Sequence, residues 1–513
     1  MVINKTKSSI YNSITSLLFT LINGLCNLIV VRKLIETYGS DFNGLNSTAA
    51  QFISVLLIIE GGFAVAANVA LFRPLSQGDK QRINSIVSAI NKKFNKISFA
   101  FLLVGGGVSV IFALLVKSEY EFYIKFGVFI FLIISTWFNL YYSTKYKILI
   151  QSDQKEYILN IISCIFLLLS NGIMYVMIVF KWHPLLLRAV VMLSAIMNSV
   201  CVGIICKAKY PYINTKATPN YASIKGTTDV FVQKIVGVIY ASVPIIFISV
   251  FVSTVDASIY TVYNTVITLI KSIETAVINA PRMSLGYLIA ENDLTSERVK
   301  KVYNEYEFTA IFSASFLLGV TMIMIMPFIS IYSAEFTDAS YSNWNIAILL
   351  IITCLVECIH IPSGVLITMS GKFKEGKKIQ IVAGVVLLVT LSIGVIFGGM
   401  NGIIVAVLLT AIVLAFMEII YAKKVLLKDN LIGFVKNLAV NVVANIILII
   451  IGLSLNIIVN SFLEFFVIAF FVFIVNALAI ISINYIFCRK MINSVMSRIC
   501  SIVFPKARKN TAH

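Results

Sequence analysis

Apolar runs of 18 or more residues recur from one end of this chain to the other. A bilayer core is about 30 Å thick and takes a helix of about 20 residues to cross, so each run is long enough to span it. Each run is also far longer than a strand, and in lipid the amides and carbonyls of a segment must pair within it. The chain is therefore expected to be an all-α, polytopic membrane protein. Composition agrees: 59% of the 513 residues are hydrophobic and only 12% are charged. A soluble protein of this length needs more polar surface than that.

Fourteen spans are expected, near residues 10–31, 46–71, 97–116, 123–143, 157–180, 184–206, 230–252, 257–280, 308–331, 343–368, 379–398, 402–422, 436–459 and 464–487. The fourth fades gradually through "FNLYYSTKYK". No cleavage-site pattern follows the first, which reads as a retained helix rather than a signal peptide. With the N-terminus inside, 33 of the 41 Lys and Arg fall in inner segments. Only Arg32, Lys33, Lys117 and Lys181 fall in outer loops. Lys125, Arg188, Lys234 and Lys271 lie within spans or at their edges. This positive-inside bias predicts that both termini are cytoplasmic. The net charge of +18 is then a topology signal, and nucleic acid is not needed to explain it.

The longest expected loop, 281–307, is too short for a soluble domain. The eight Cys lie in spans or on the inner side, away from any outer disulfide. Two inner segments read as amphipathic helices on the inner membrane surface. One is "DKQRINSIVSAINKKFNKI", with Ile83, Ile86, Val87, Ile90, Phe94 and Ile97 on one face. The other is "SERVKKVYNEYEF", with Val299, Val302, Tyr303 and Tyr306. Each follows the second span of a group of six, which suggests a repeat. The expected organisation is a six-helix lobe at 1–206, a cytoplasmic linker at 207–229 and a second six-helix lobe at 230–425. Residues 426–513 add two helices and a basic cytoplasmic tail. Six spans return the chain to the same side, so the lobes would be parallel repeats flanking a central cavity.

The stretch "RKLIETYGSDFNGLNSTAAQFISVLLIIEGGFAVAANVALFRPL" (32–75) resembles the segment joining spans 1 and 2 of bacterial polysaccharide-unit flippases of the Wzx type. The likeness returns in "ASIYTVYNTVITLIKSIETAVINAPRMSLG" (257–286). It follows most of the chain as span layout and is concentrated at residue level in those two stretches. Such flippases belong to the multidrug/oligosaccharidyl-lipid/polysaccharide exporter superfamily. The resemblance implies two six-helix lobes in a V around a central cavity. It implies transfer of undecaprenyl-diphosphate-linked oligosaccharides, of the O-antigen or capsule kind, from the inner to the outer leaflet of the bacterial cytoplasmic membrane. The partners implied are that substrate, membrane lipid and the polysaccharide polymerase machinery. No cofactor is implied; H+ or Na+ would drive the cycle.

Particular residues fit that chemistry. An anionic diphosphate needs cations, and the guanidinium fork binds phosphate in a bidentate fashion. Arg32, Lys125 and Arg188, toward the outer end of the first half, are either cavity cations or anchors that snorkel to the interface. Lys271 is deeper, and Glu274 three residues on could pair with it on one helix face. Glu60, in "LLIIEGGFAVAAN", is expected in mid-helix without a partner on its own helix. There it is either bonded to a neighbouring helix or acts as a proton- or cation-binding switch. "CLVECIH" (354–360) offers Glu357 as a polar cavity residue. Its Cys354, Cys358 and His360 do not share a face suited to a metal. Glu418 reads as interfacial, and Pro244 should bend span 7.

No Walker-type phosphate loop and no soluble catalytic constellation occurs, so a transporter rather than an enzyme is expected. The alternatives are a small-molecule or multidrug exporter of the same fold, a flippase for the peptidoglycan precursor and, from another class, a membrane polysaccharide polymerase. The short outer loops argue against the polymerase.

Overall fold

The computed structural model describes residues 2–60, 62–221, 228–279 and 281–503. The expected tail beyond 503, the middle of the expected linker at 222–227, and Gly61 lie outside the described residues. The described chain is helical throughout its membrane-length segments and contains no strand. Among the described residues, eleven stretches are long and apolar enough to cross a membrane, as expected of a multi-pass membrane protein.

Two of these are far too long to cross once. Tyr11–Glu60 has 50 residues and Phe373–Leu427 has 55, so each would run beyond about 70 Å if straight. Each is interrupted at one glycine. Helix α1 (Val2–Leu56) turns at Gly39, which has φ +85°, a value reserved in practice for glycine. Helix α14 (Phe373–Ile420) turns at Gly399, with φ +52°. The reversal at Gly399 is evident from its flanks: a Cβ on Gly394 would lie 2.4 Å from the Gly402 carbonyl oxygen. Eight residues of straight helix would hold those positions about 12 Å apart. Counting the arms separately and adding α9 (Thr254–Asn279) gives fourteen spans.

Residues 1–265, with 335–339 and 391–403, form one compact unit. It holds α1, α2 (Phe63–Gln77), α3 (Lys80–Leu115), α4 (Phe122–Phe138), α5 (Thr144–Ser152), α6 (Glu156–Val179), α7 (Pro184–Lys209), α8 (Thr228–Phe247) and the start of α9. A π turn, Asn139–Ser143, joins α4 to α5. Its core includes Phe112 stacked on Phe129 with ring centroids 4.6 Å apart. Pro244 lies inside α8, which widens into a π turn at Ile248–Val252.

Residues 266–334, 340–390 and 404–513 form a second unit. It contains α10 (Arg282–Glu291), α11 (Glu297–Tyr332), α12 (Trp344–Ile359), α13 (Ile361–Met369), most of α14, α15 (Ile432–Ser454), α16 (Phe462–Phe487) and α17 (Arg489–Val503). Helix α11 is its axis and packs against α10, α12, α13, α15, α16 and α17. The two added helices are joined by amides: Asn441 and Asn484 bond each other reciprocally at 3.1 and 2.9 Å. Without a hydrophobic driving force between helices in lipid, such polar pairs and close small-residue contacts bring helices together. Gly319 of α11 provides the close contact, since a Cβ there would lie 2.0 Å from Asn445 Oδ1. Arg498 and Ser494 of α17 both reach the buried Glu305 of α11.

Two expectations are corrected. The amphipathic segments do not lie apart on a membrane surface. They are the first turns of α3 and α11, each one continuous 36-residue helix. Their apolar faces are packed into protein: Ile83, Ile86, Val87, Ile90, Phe94, Val299, Tyr303 and Tyr306 are buried. The described start of the linker is also bound to α3. Asn84 donates to the Tyr212 carbonyl, Ser88 to the Ala217 carbonyl, and the Asn220 amide to the Ser85 carbonyl. The second correction is that residues 32–45 form no outer loop; they are helix on both sides of Gly39.

Candidate functional site

Glu60 does not sit in mid-helix. Residues Leu57–Glu60 form a 3-10 turn, and α2 starts after Gly62, whose φ is +69°. The span expected at 46–71 is therefore broken at the acid. Such breaks in a membrane segment free backbone groups and are tolerated beside other protein or water-filled space. The Glu60 carboxylate is 3.7 Å from Lys234 Nζ of α8, and its side chain is only 17% exposed. The partner missing from its own helix is supplied by another.

In the second unit, Lys271 does not pair with Glu274. Its ammonium donates to Glu357 Oε2 at 2.6 Å, from α9 to α12. A better acid on a facing helix outcompetes the neighbour three residues away. Glu274 is 1% exposed and accepts from the Ser313 hydroxyl at 2.6 Å. Its second oxygen has no partner among the described residues.

Two further charged groups were missed or undervalued in the sequence. Glu418 is buried rather than interfacial. It lies 2.7 Å from His360 Nδ1 and accepts from Gln380 at 3.4 Å. Gly364 leaves room for it, as a Cβ there would lie 2.9 Å from Glu418 Oε2. His360 is thus engaged by a carboxylate, at the joint between α12 and α13. Nearby, Glu307 and Lys423 form a 2.7 Å ion pair with both side chains 2% exposed. Lys423 also donates to Asn304 at 3.0 Å, and Tyr303 bonds Ser363 at 2.8 Å. Burial opposes the charge on Asp429, in the following turn, but Asn304, the Asn430 amide and Lys423 hold it below the usual carboxylate range. The sequence signal was present, since Glu307 opens the apolar run of α11 and Lys423 closes that of α14. Their mutual approach was not readable.

At the Gly39 turn, Arg32 lies 3.5 Å from Glu335. Ser40 bonds Asp338 through its amide and its hydroxyl. Asp41 accepts from Ser118 at 3.0 Å, from the Glu119 amide at 2.8 Å, and from Thr254. Asn43 donates to Ser258 at 2.8 Å, and Thr48 bonds Ser249. Burial pushes Tyr120 up to about 12, with Asp41 adding to the shift. These contacts clasp α1 to the segment after α3, to the π turn after α8 and to the start of α9; the α1 residues lie in the quoted stretch 32–75, but nothing in it marked their partners. Lys125 and Arg188, on α4 and α7, are half-buried. Neither makes an ion pair among the described residues. Of the seven candidate residues, only Lys271 and Glu357 are shown in contact.

No protein-family model matches the chain, and no curated protein matches its sequence. Solved structures do match. An inward-facing multidrug resistance MATE family transporter of the MOP superfamily aligns with a TM-score of 0.58 and 12% identity, over 78% of this chain and 93% of that one. A MOP superfamily transporter from Pyrococcus furiosus aligns at 0.53 and 13% identity, over 83% and 97%. The lipid II flippase MurJ, in an inward closed conformation, aligns at 0.71 and 12% identity, over 94% of this chain and 100% of that one. The chain has the MOP transporter fold. Of the three solved proteins cited, two are transporters and one is a flippase, and what this chain shares with them is the fold.

Proposed function

We propose that this protein is a flippase. It moves undecaprenyl-diphosphate-linked oligosaccharide repeat units from the inner to the outer leaflet of the bacterial cytoplasmic membrane, for surface polysaccharide synthesis. Both termini are cytoplasmic, and the cycle is alternating access coupled to H+ or Na+. The observation that carries the reading is Lys271 with Glu357, a charged pair deep in the spans of a fold shared with a lipid flippase. The similarity to that flippase extends over 94% of the chain, too much to leave out α15 and α16. The multidrug transporter cited above covers 78%.

The chemistry follows from the pairs. Lys271 and Arg32 are held by Glu357 and Glu335 until a diphosphate exchanges for the carboxylate, a swap of one charge-assisted hydrogen bond for another. Lys125 and Arg188 supply further positive charge. Glu60, Glu274 and Glu357 are the coupling acids. Binding of a proton or a sodium ion to them drives the cycle only if the two access states bind it with different affinity.

Deleting the gene tests the reading. Surface polysaccharide should disappear while lipid-linked repeat units accumulate in the membrane. Normal polysaccharide together with raised sensitivity to small toxic compounds would favour the multidrug exporter instead.

A further inference from the structure

The inner end of the first unit holds two cations with no acid beside them among the described residues. Lys145 of α5 donates to Asn91 Oδ1 of α3 at 2.7 Å. Its ammonium lies 5.7 Å from the centre of the Tyr142 ring and 5.3 Å from that of Tyr146. Lys207 of α7 lies 6.0 and 5.9 Å from the same two rings. Both ammonium groups approach the same two rings, so two like charges share one small region and repel each other. Neither makes an ion pair among the described residues. Asp153, the nearest acid along α5, is taken by Lys155 and by Tyr210.

The local fold builds this arrangement. The π turn at Asn139–Ser143 shifts the register between α4 and α5, bringing Tyr141, Tyr142 and Tyr146 toward Lys145. Such turns inside helices frequently occur at functional sites. Asn139 fixes the turn by accepting from Ser143 at 2.5 Å and from Lys147 at 3.0 Å. Gly203 of α7 admits the Tyr142 ring, since a Cβ there would lie 2.6 Å from it. Beside the cations the surface becomes apolar: Phe99, Leu103 and Ile204 are exposed, and Phe99 meets Tyr141 at 6.2 Å.

We propose that Lys145 and Lys207 form a binding site for the phosphate headgroup of a lipid in the cytoplasmic leaflet. Ring faces at this range offset only part of the charge. A phosphate bridging the two ammonium groups relieves their repulsion and accepts hydrogen bonds from both. The exposed Phe99, Leu103 and Ile204 offer a surface to the lipid's chains. Basic pockets between membrane helices on the cytoplasmic side bind anionic headgroups in this way. The site stands whether or not the protein is a flippase. The same phosphate chemistry is found in bulk phosphatidylglycerol and in a polyprenyl phosphate carrier.

Native mass spectrometry of the full-length purified protein tests it, with phosphatidylglycerol, undecaprenyl phosphate and phosphatidylcholine as separate probes. Either anionic lipid should be retained over phosphatidylcholine, and which one names the source. K145Q/K207Q should weaken retention by about tenfold or more, the weight of one charge-assisted hydrogen bond. A glutamine amide at position 145 can still donate to Asn91, and the exposed Lys207→Gln alone should show a partial loss even if the double variant is unstable. Lys92→Gln/Lys96→Gln, which removes two exposed charges from α3, should retain lipid as the parent does. Equal loss in that control, or no preference for anionic lipid in the parent, would overturn the proposal.

Discussion

Gly44→Ala should open the clasp between α1 and α9. A Cβ at position 44 would lie 1.7 Å from the Thr254 carbonyl oxygen and 2.5 Å from its carbon. Both are backbone atoms, so no side chain can rotate away. Restoring ordinary contact needs the two helices to separate by about 1.5 Å. The Asn43–Ser258 bond, now 2.8 Å, would be stretched past hydrogen-bonding reach, and so would Asp41–Thr254 and Thr48–Ser249. Three bonds at about 0.5–1.5 kcal/mol each total about 1.5–4.5 kcal/mol. At about 1.4 kcal/mol per factor of ten, the clasped state loses about two orders of magnitude in population. The assay is cross-linking, with a short bifunctional reagent in native membranes, of one cysteine on α1 and one at the start of α9, both placed outside the three bonded pairs. The parent pair should cross-link readily and the Gly44→Ala version only weakly, at equal abundance. Equal cross-linking in both would show that this backbone contact does not hold α1 to α9.

Lys271→Ala and Arg32→Ala should each lower export of lipid-linked repeat units while membrane insertion stays normal. Lys at position 32 should rescue only in part, because it lacks the bidentate fork. Normal export by both alanine variants would remove these cations from the mechanism. Lys423→Met strands the buried Glu307 and should cost about 3–5 kcal/mol, measured as a lower melting temperature of the purified protein. Adding Glu307→Leu should recover most of it; a double variant as unstable as the single one would mean that the pair is not the source. Reporter fusions within 372–378 should read as cytoplasmic and fusions within 335–341 as extracytoplasmic, and the opposite pattern would reverse the topology.

Spans were legible because apolar length is a property of each segment alone. Breaks were less so. Gly39 and Gly399 look in sequence like any other glycine near a span end, and only the backbone shows that they take positive φ. The break at Leu57–Glu60 lies inside an unbroken apolar run, where hydropathy carries no sign of it. The amphipathic faces of α3 and α11 were visible by spacing. Their partner was not, since protein and membrane surface both accept an apolar stripe. Charged groups were found by their depth, but their partners lie far along the chain. Lys271 with Glu357 is separated by 86 positions and His360 with Glu418 by 58, distances that local spacing cannot bridge. Lys271 with Glu274 was the pair that helical geometry alone suggests, and tertiary packing replaced it.

The most direct test of the account is flipping of an undecaprenyl-diphosphate-linked oligosaccharide by the purified protein in vesicles, with and without an imposed proton or sodium gradient. The parent should flip the lipid, one gradient should accelerate it, and Glu60→Gln should fold normally but lose the acceleration. Vesicles with the parent protein that flip no more lipid than empty ones, with either gradient imposed, would contradict the account.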